Sequence, residues 1–292
     1  MFAGAIVAIV TPFKNGQIDE EGFDKLIQFQ IENGTAGIVP CGTTGESATL
    51  SHEEHDRVIE LAIKSVNKRI PVIAGTGSNS TEEALRLTQR AYSEGADGVL
   101  VVCPYYNRPS QDGLYRHYKT IAEEVPIPVV VYNIPGRTGV NLNPDTLAKL
   151  SQIPNIVGIK EAAGSIKQIS DMIGLCGPDF NVISGDDAFT LPLMALGGKG
   201  VISVLSNIAP AHMAELVHAC ERGDFEKARK LHYKMAPLID ALFIETNPVP
   251  VKAALAMMGM IDDEVRLPLS QLSAGSRDKL KKAMIDYGLI SG

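Results

Sequence analysis

Several absences narrow what this chain can be. Its four cysteines, Cys41, Cys103, Cys176 and Cys220, form no CxxC pair. In a chain of 292 residues they read as reduced, mostly buried thiols of a cytosolic protein. No G-x-G-x-x-G follows the first apolar run, which removes the main sign of a dinucleotide-binding open sheet. Basic charge is in deficit: 27 Lys and Arg stand against 34 Asp and Glu, a net charge of −7. That balance argues against nucleic acid or an anionic membrane as the main partner, while leaving room for a local cationic pocket. Long apolar runs are missing too. The first run, residues 1–10, has no basic flank and stops at Thr11-Pro12. It is too short to span a bilayer and reads as a strand, so the expected location is the cytoplasm.

What is present is ordinary globular composition, 45% hydrophobic and 21% charged, with ample material for a core. Eight strand-like runs recur at even spacing, at 5–10, 36–40, 71–74, 97–103, 127–132, 155–160, 181–184 and 200–204. The segments between them carry helical periodicity, as in Phe23, Leu26, Ile27 and Ile31, or Ala84, Leu85, Leu87 and Thr88. Eight such units predict an α/β protein, a (β/α)8 TIM barrel. Helical stretches at about 209–221, 224–243, 248–258 and 276–287 exceed what one unit needs. They predict a catalytic barrel over 1–223 and a C-terminal helical extension over 224–292, divided at the turn signal Glu221-Arg222-Gly223-Asp224.

The run Asn155-Ile156-Val157-Gly158-Ile159-Lys160-Glu161 reads as a buried parallel strand that stops on a lysine. Barrel enzymes place their chemistry at that end. Burial disfavours an ammonium, lowers the lysine pKa and yields a nucleophile able to form a Schiff base with a ketone. Taken alone, a strand-end lysine more often snorkels to solvent or pairs with a carboxylate such as Glu161. The other strand ends tilt the balance. They carry Gly42-Thr43-Thr44-Gly45-Glu46, Gly75-Thr76-Gly77-Ser78-Asn79, Pro104-Tyr105-Tyr106-Asn107, Tyr132-Asn133-Ile134-Pro135-Gly136-Arg137-Thr138-Gly139 and Gly185-Asp186-Asp187. Each has a bland reading as a tight turn or a packed aromatic. Together they would face one bowl with a threonine pair, tyrosines, an arginine and a lysine.

These motifs, with Val10-Thr11-Pro12-Phe13 and Gly158-Ile159-Lys160-Glu161, resemble the dihydrodipicolinate synthase family of the pyruvate-dependent aldolase and N-acetylneuraminate lyase superfamily, over essentially the whole chain. The resemblance implies condensation of pyruvate with L-aspartate 4-semialdehyde through an imine on Lys160, in the diaminopimelate route to L-lysine. It implies Tyr132 as proton carrier, linked through Thr44 to a Tyr106 supplied by a neighbouring subunit. It assigns Thr43 and Thr44 to the pyruvate carboxylate, Arg137 to the carboxylate of the aldehyde, and Gly185 and Ile202 to the pocket wall. A homodimer or homotetramer follows from the shared tyrosine. The resemblance further implies feedback by L-lysine at Ser47, Ala48, His52, His55, Asn79, Glu83 and Tyr105.

No metal or organic cofactor is expected, Lys160 being the electron sink. His52-Glu53-Glu54-His55 is one residue short of HExxH, and Gly197-Gly198-Lys199-Gly200 lacks the Walker spacing. Ser51-x-x-Glu54 and Ser80-x-x-Glu83 read as capping boxes. Two alternatives share the lysine: an N-acetylneuraminate lyase or keto-deoxy sugar acid aldolase, and a non-catalytic barrel that binds a keto acid.

Overall fold

The computed structural model describes residues 2–292. Among the described residues ten strands are formed: β1 (Gly4–Ala8), β2 (Phe13–Lys14), β3 (Gln17–Ile18), β4 (Gly37–Val39), β5 (Ile73–Gly75), β6 (Gly98–Val102), β7 (Val129–Asn133), β8 (Ile156–Glu161), β9 (Asn181–Ser184) and β10 (Gly200–Ser203). Eight of them pair in parallel in the order β4-β1-β10-β9-β8-β7-β6-β5. A parallel bridge between Ile38 and Val72 joins the two ends and closes the barrel. All eight expected runs are barrel strands. β2 and β3 form a small antiparallel hairpin that the sequence pattern did not announce.

The helices are α1 (Glu20–Glu32), α2 (His52–Val66), α3 (Thr81–Glu94), α4 (Gln111–Glu124), α5 (Pro135–Thr138), α6 (Pro144–Leu150), α7 (Ile166–Cys176), α8 (Thr190–Ala195), α9 (Pro210–Glu221), α10 (Phe225–Leu242), α11 (Val249–Met257) and α12 (Ala274–Tyr287). The apolar positions read as a helical face are the ones that bury: Phe23, Leu26 and Ile27 on α1, and Ala84, Leu87 and Thr88 on α3.

Strand pleat divides the apolar residues into two cores. Val129, Val131 and Ile159 face outward against the helices. Ile6, Ala8, Val39, Ile73, Leu100, Val130, Tyr132, Ile183 and Ile202 fill the barrel, with Phe2 among them. The extension shares the outer core: Leu238, Val251, Leu255 and Leu280 belong to the same cluster as the barrel residues. The turn at Arg222–Asp224 is present, with Gly223 left-handed and Asp224 capping α10.

Candidate active site

Tyr132 and Lys160 are register partners on neighbouring strands, so the pleat turns both side chains into the barrel. Lys160 is 5% exposed, and its Nζ lies 4.2 Å from the centroid of the Tyr132 ring. Burial brings its pKa down from 10.5 to about 8. The Asp187 carboxylate opposes the fall, and the Arg137 guanidinium adds to it. Burial also pushes the Tyr132 phenol up to about 12, against Arg137 and the Thr43 side chain, which draw it down. The lysine therefore gives up its proton readily while the tyrosine keeps one to donate.

Glu161, one residue on, points the other way. Its carboxylate accepts from Asn133 Nδ2 (2.9 Å), the Ala163 amide (2.6 Å) and Gln168 Nε2 (3.3 Å) outside the barrel. The alternation that buries Lys160 takes Glu161 away, so the Lys160–Glu161 pairing is not formed. Gly185 borders the lysine closely. A Cβ there would lie 3.0 Å from Lys160 Cγ, 3.1 Å from its Cε and 2.9 Å from Ala162 Cβ. Ile202 is buried within the barrel.

The expected hydroxyl chain from Tyr132 through Thr44 to Tyr106 is not assembled within one chain. The Thr44 hydroxyl accepts instead from Asn247 Nδ2 at 3.0 Å, and Thr43 is the threonine that acts on Tyr132. Tyr106 is 89% exposed, on a loop residue with φ of +69°. Arg137 sits on the one-turn helix α5 and donates through Nη2 to the Asn247 carbonyl (3.3 Å).

A cavity of about 520 Å³ runs beside these groups. Thr43, Arg137, Thr138 and Asn247 line it together with Ser47, Ala48, His52, His55, Glu83 and Tyr105. Six of the seven residues assigned to the effector thus line one cavity. Asn79 is not; its carbonyl accepts from Asn107 Nδ2 at 2.8 Å instead. His55 is buried with Nε2 2.9 Å from the Gly75 carbonyl, whereas His52 is exposed and lies 3.4 Å from Glu83. The capping box at Ser51 is complete. At Ser80 it is half made: the Ser80 hydroxyl accepts from the Glu83 amide, but the Glu83 carboxylate turns to the Ser78 hydroxyl.

Two residues were passed over. Asp187 is 2% exposed, and its Oδ2 accepts from the Val204 and Leu205 amides at 3.0 Å each. It stood in the Gly185-Asp186-Asp187 motif, but sequence does not separate a ligand-facing acid from a loop-capping one. Asn247, 5% exposed, carried no signal beyond its place in a proline-flanked break of the extension.

A closed parallel barrel whose inner strand end holds a buried, low-pKa amine beside a phenol defines a class, the α/β-barrel enzymes with their chemistry at the strand ends. The profile of the Dihydrodipicolinate synthetase family matches residues 1–286, and the chain belongs to that family; it is an enzyme, a lyase. A 4-hydroxy-tetrahydrodipicolinate synthase of Syntrophus aciditrophicus is 70% identical over 290 residues, 99% of this chain and 100% of that protein. The chloride-inhibited dihydrodipicolinate synthase of Acinetobacter baumannii complexed with pyruvate superposes with a TM-score of 0.98 at 50% identity, over 99% of this chain and 100% of the other. The Cyanidioschyzon merolae enzyme with lysine bound superposes with a TM-score of 0.97 at 42% identity, covering 99% of both.

Proposed function

We propose that this enzyme condenses pyruvate with L-aspartate 4-semialdehyde through an imine on Lys160. The observation that carries it is a 5%-exposed lysine with a pKa near 8 stacked on Tyr132. The neutral amine adds to the keto carbon of pyruvate. Tyr132 donates a proton to the departing hydroxyl, and water leaves. The iminium then draws electrons from the methyl group, the Tyr132 phenolate takes the methyl proton, the resulting enamine attacks the aldehyde, and the amine of the second substrate displaces Lys160 as it cyclises. Thr43 and Thr44 hold the pyruvate carboxylate. Arg137, exposed at the cavity mouth, pairs with the carboxylate of the second substrate as a planar guanidinium does best. The electron sink is the imine itself, so no organic cofactor or metal is called for. Relatives with pyruvate and with lysine bound support the ligands assigned here.

Borohydride added with pyruvate should fix a reduced pyruvyl group on the peptide that carries Lys160. Modification elsewhere, or none, refutes the mechanism. Turnover of pyruvate with aspartate semialdehyde, against pyruvate with sugars, separates this activity from that of a sugar-acid lyase.

The same proposal includes a site shared between subunits and inhibition by L-lysine. The Tyr106 side chain is 89% exposed and makes no hydrogen bond within its own chain, so a neighbouring subunit of a homodimer or homotetramer supplies it. Mixing inactive Tyr106→Phe and Lys160→Ala chains should recover activity in hybrids; no recovery after subunit exchange refutes the sharing. L-Lysine would bind among the cavity-lining residues Ser47, Ala48, His52, His55, Glu83 and Tyr105, where Glu83 meets an ammonium and Tyr105 the carboxylate. Unchanged turnover at about millimolar lysine, where a coupling of about 1–3 kcal/mol would show, removes the regulatory part.

A further inference from the structure

The segment Gly42–Thr49 borders the cavity. Thr43, Ser47 and Ala48 line the same cavity as Arg137, Asn247 and Glu83, while Thr44 is buried with its hydroxyl accepting from Asn247 Nδ2. Between Thr44 and Ser47, Glu46 takes the left-handed conformation (φ +53°), unusual for a residue with a Cβ, and caps the 3-10 turn Ser47–Thr49. Its side chain is buried and meets Lys252 of α11, Nζ to Oε1 2.5 Å, with the two side chains 1% and 0% exposed. The other carboxylate oxygen accepts from the Arg266 amide at 3.2 Å. Lys252 Nζ and the Arg266 guanidinium carbon lie 4.1 Å and 4.2 Å from the centroid of the Phe13 ring. Arg266 then reaches back to the far end of the same segment. It donates to the Thr49 carbonyl (3.1 Å) and forks onto both oxygens of Glu54 (2.6 Å each).

A buried ion pair is a poor device for stability alone, because an apolar pair of the same volume serves as well. What it does supply is a defined position for the backbone that carries it. We propose that the Glu46–Lys252 pair, set by Phe13 and Arg266, is a positioning clamp through which the C-terminal extension holds residues 42–49 in register with the cavity that Thr43, Ser47 and Ala48 line. Glu46 borders the cavity, whereas Lys252 and Arg266 do not line it, and none of the clamp's hydrogen bonds or ion pairs is made with Lys160. The kinetic consequence of the clamp rests on the proposed reaction; its structural consequence does not.

The test uses the full-length enzyme with Glu46→Gln/Lys252→Met, which removes both charges and keeps both shapes. Hydrogen exchange at the Glu46, Ser47 and Thr49 amides, pyruvate KM and kcat, and the unfolding midpoint are measured together. The variant should unfold no earlier than the parent, yet exchange faster at those amides and show a pyruvate KM raised about tenfold with kcat changed far less. Parent-like exchange and KM overturn the clamp and leave the pair as core filling. Arg266→Gln, on the half-buried flank, carries the same test if the double variant does not fold: it frees Thr49, and an unchanged exchange pattern and KM refute the clamp equally. Failure of the parent itself to trap pyruvate at Lys160 refutes the imine mechanism instead, and amide exchange still decides the clamp.

Discussion

Replacing Lys160 with methionine should stabilise the protein and abolish its chemistry. The amine's pKa falls from 10.5 unfolded to about 8 folded. The unfolded chain therefore binds the extra proton between those values, and stability rises with pH across that window. Below it the full penalty is present. At about 1.4 kcal/mol per factor of ten in proton affinity, the buried ammonium costs about 3 kcal/mol at pH 7 and about 1 kcal/mol at pH 9.5. Lys160→Met keeps the stem and removes the titration. Urea unfolding of parent and variant at one protein concentration and at both pH values measures the gap. The variant should be the more stable by about 3 kcal/mol at pH 7, with the gap narrowing by about 2 kcal/mol at pH 9.5. A gap independent of pH would refute the depressed pKa. The same depression makes the amine useful: about one in ten molecules is unprotonated at pH 7, against about one in three thousand for an ordinary lysine. Reductive trapping by pyruvate should accordingly rise with pH and level off above about pH 8.

Gly185→Ala puts a methyl 3.0 Å from Lys160 Cγ and should slow trapping by about tenfold or more, read by mass spectrometry of the Lys160 peptide. Arg137→Gln removes a cation that helps lower the Lys160 pKa; the trapping profile should move to higher pH, and an unmoved profile would show that burial alone sets it. Ser51→Ala breaks the complete capping box of α2 and should cost about 1 kcal/mol in urea unfolding. Glu83→Ala should raise the L-lysine inhibition midpoint by about tenfold or more, the loss of one charge-assisted contact, measured by titration in the turnover assay.

The barrel was legible because its signal is local and repeated. Val129-Val130-Val131 and Ile156-Val157 are apolar on both faces, as strands covered by helices outside and side chains inside must be. The β2–β3 hairpin was not legible, since two residues per strand leave no period to read. The four helices after β10 stood out by periodicity, but nothing in them announced that Asn247, Lys252 and Arg266 return to the barrel mouth. Those contacts span about 200 residues of chain, Asn247 to Thr44 and Lys252 to Glu46 among them, and no local pattern encodes a partner so far away.

By itself, then, the sequence determined the eight strand ends and the chemistry standing on them: a lysine and a tyrosine that close apolar runs, and a threonine pair and an arginine next to glycines that turn the chain. Tertiary structure decided what those groups are. Register between β7 and β8 set Lys160 against Tyr132, and pleat sent Glu161 outside. Burial lowered one pKa and raised the other, because charge is costly wherever water is excluded. Folding also brought Asn247 to the Thr44 hydroxyl and Lys252 to Glu46 from the far end of the chain. Proton affinity and position depend on everything within a few ångströms, and only the closed barrel brings those neighbours together.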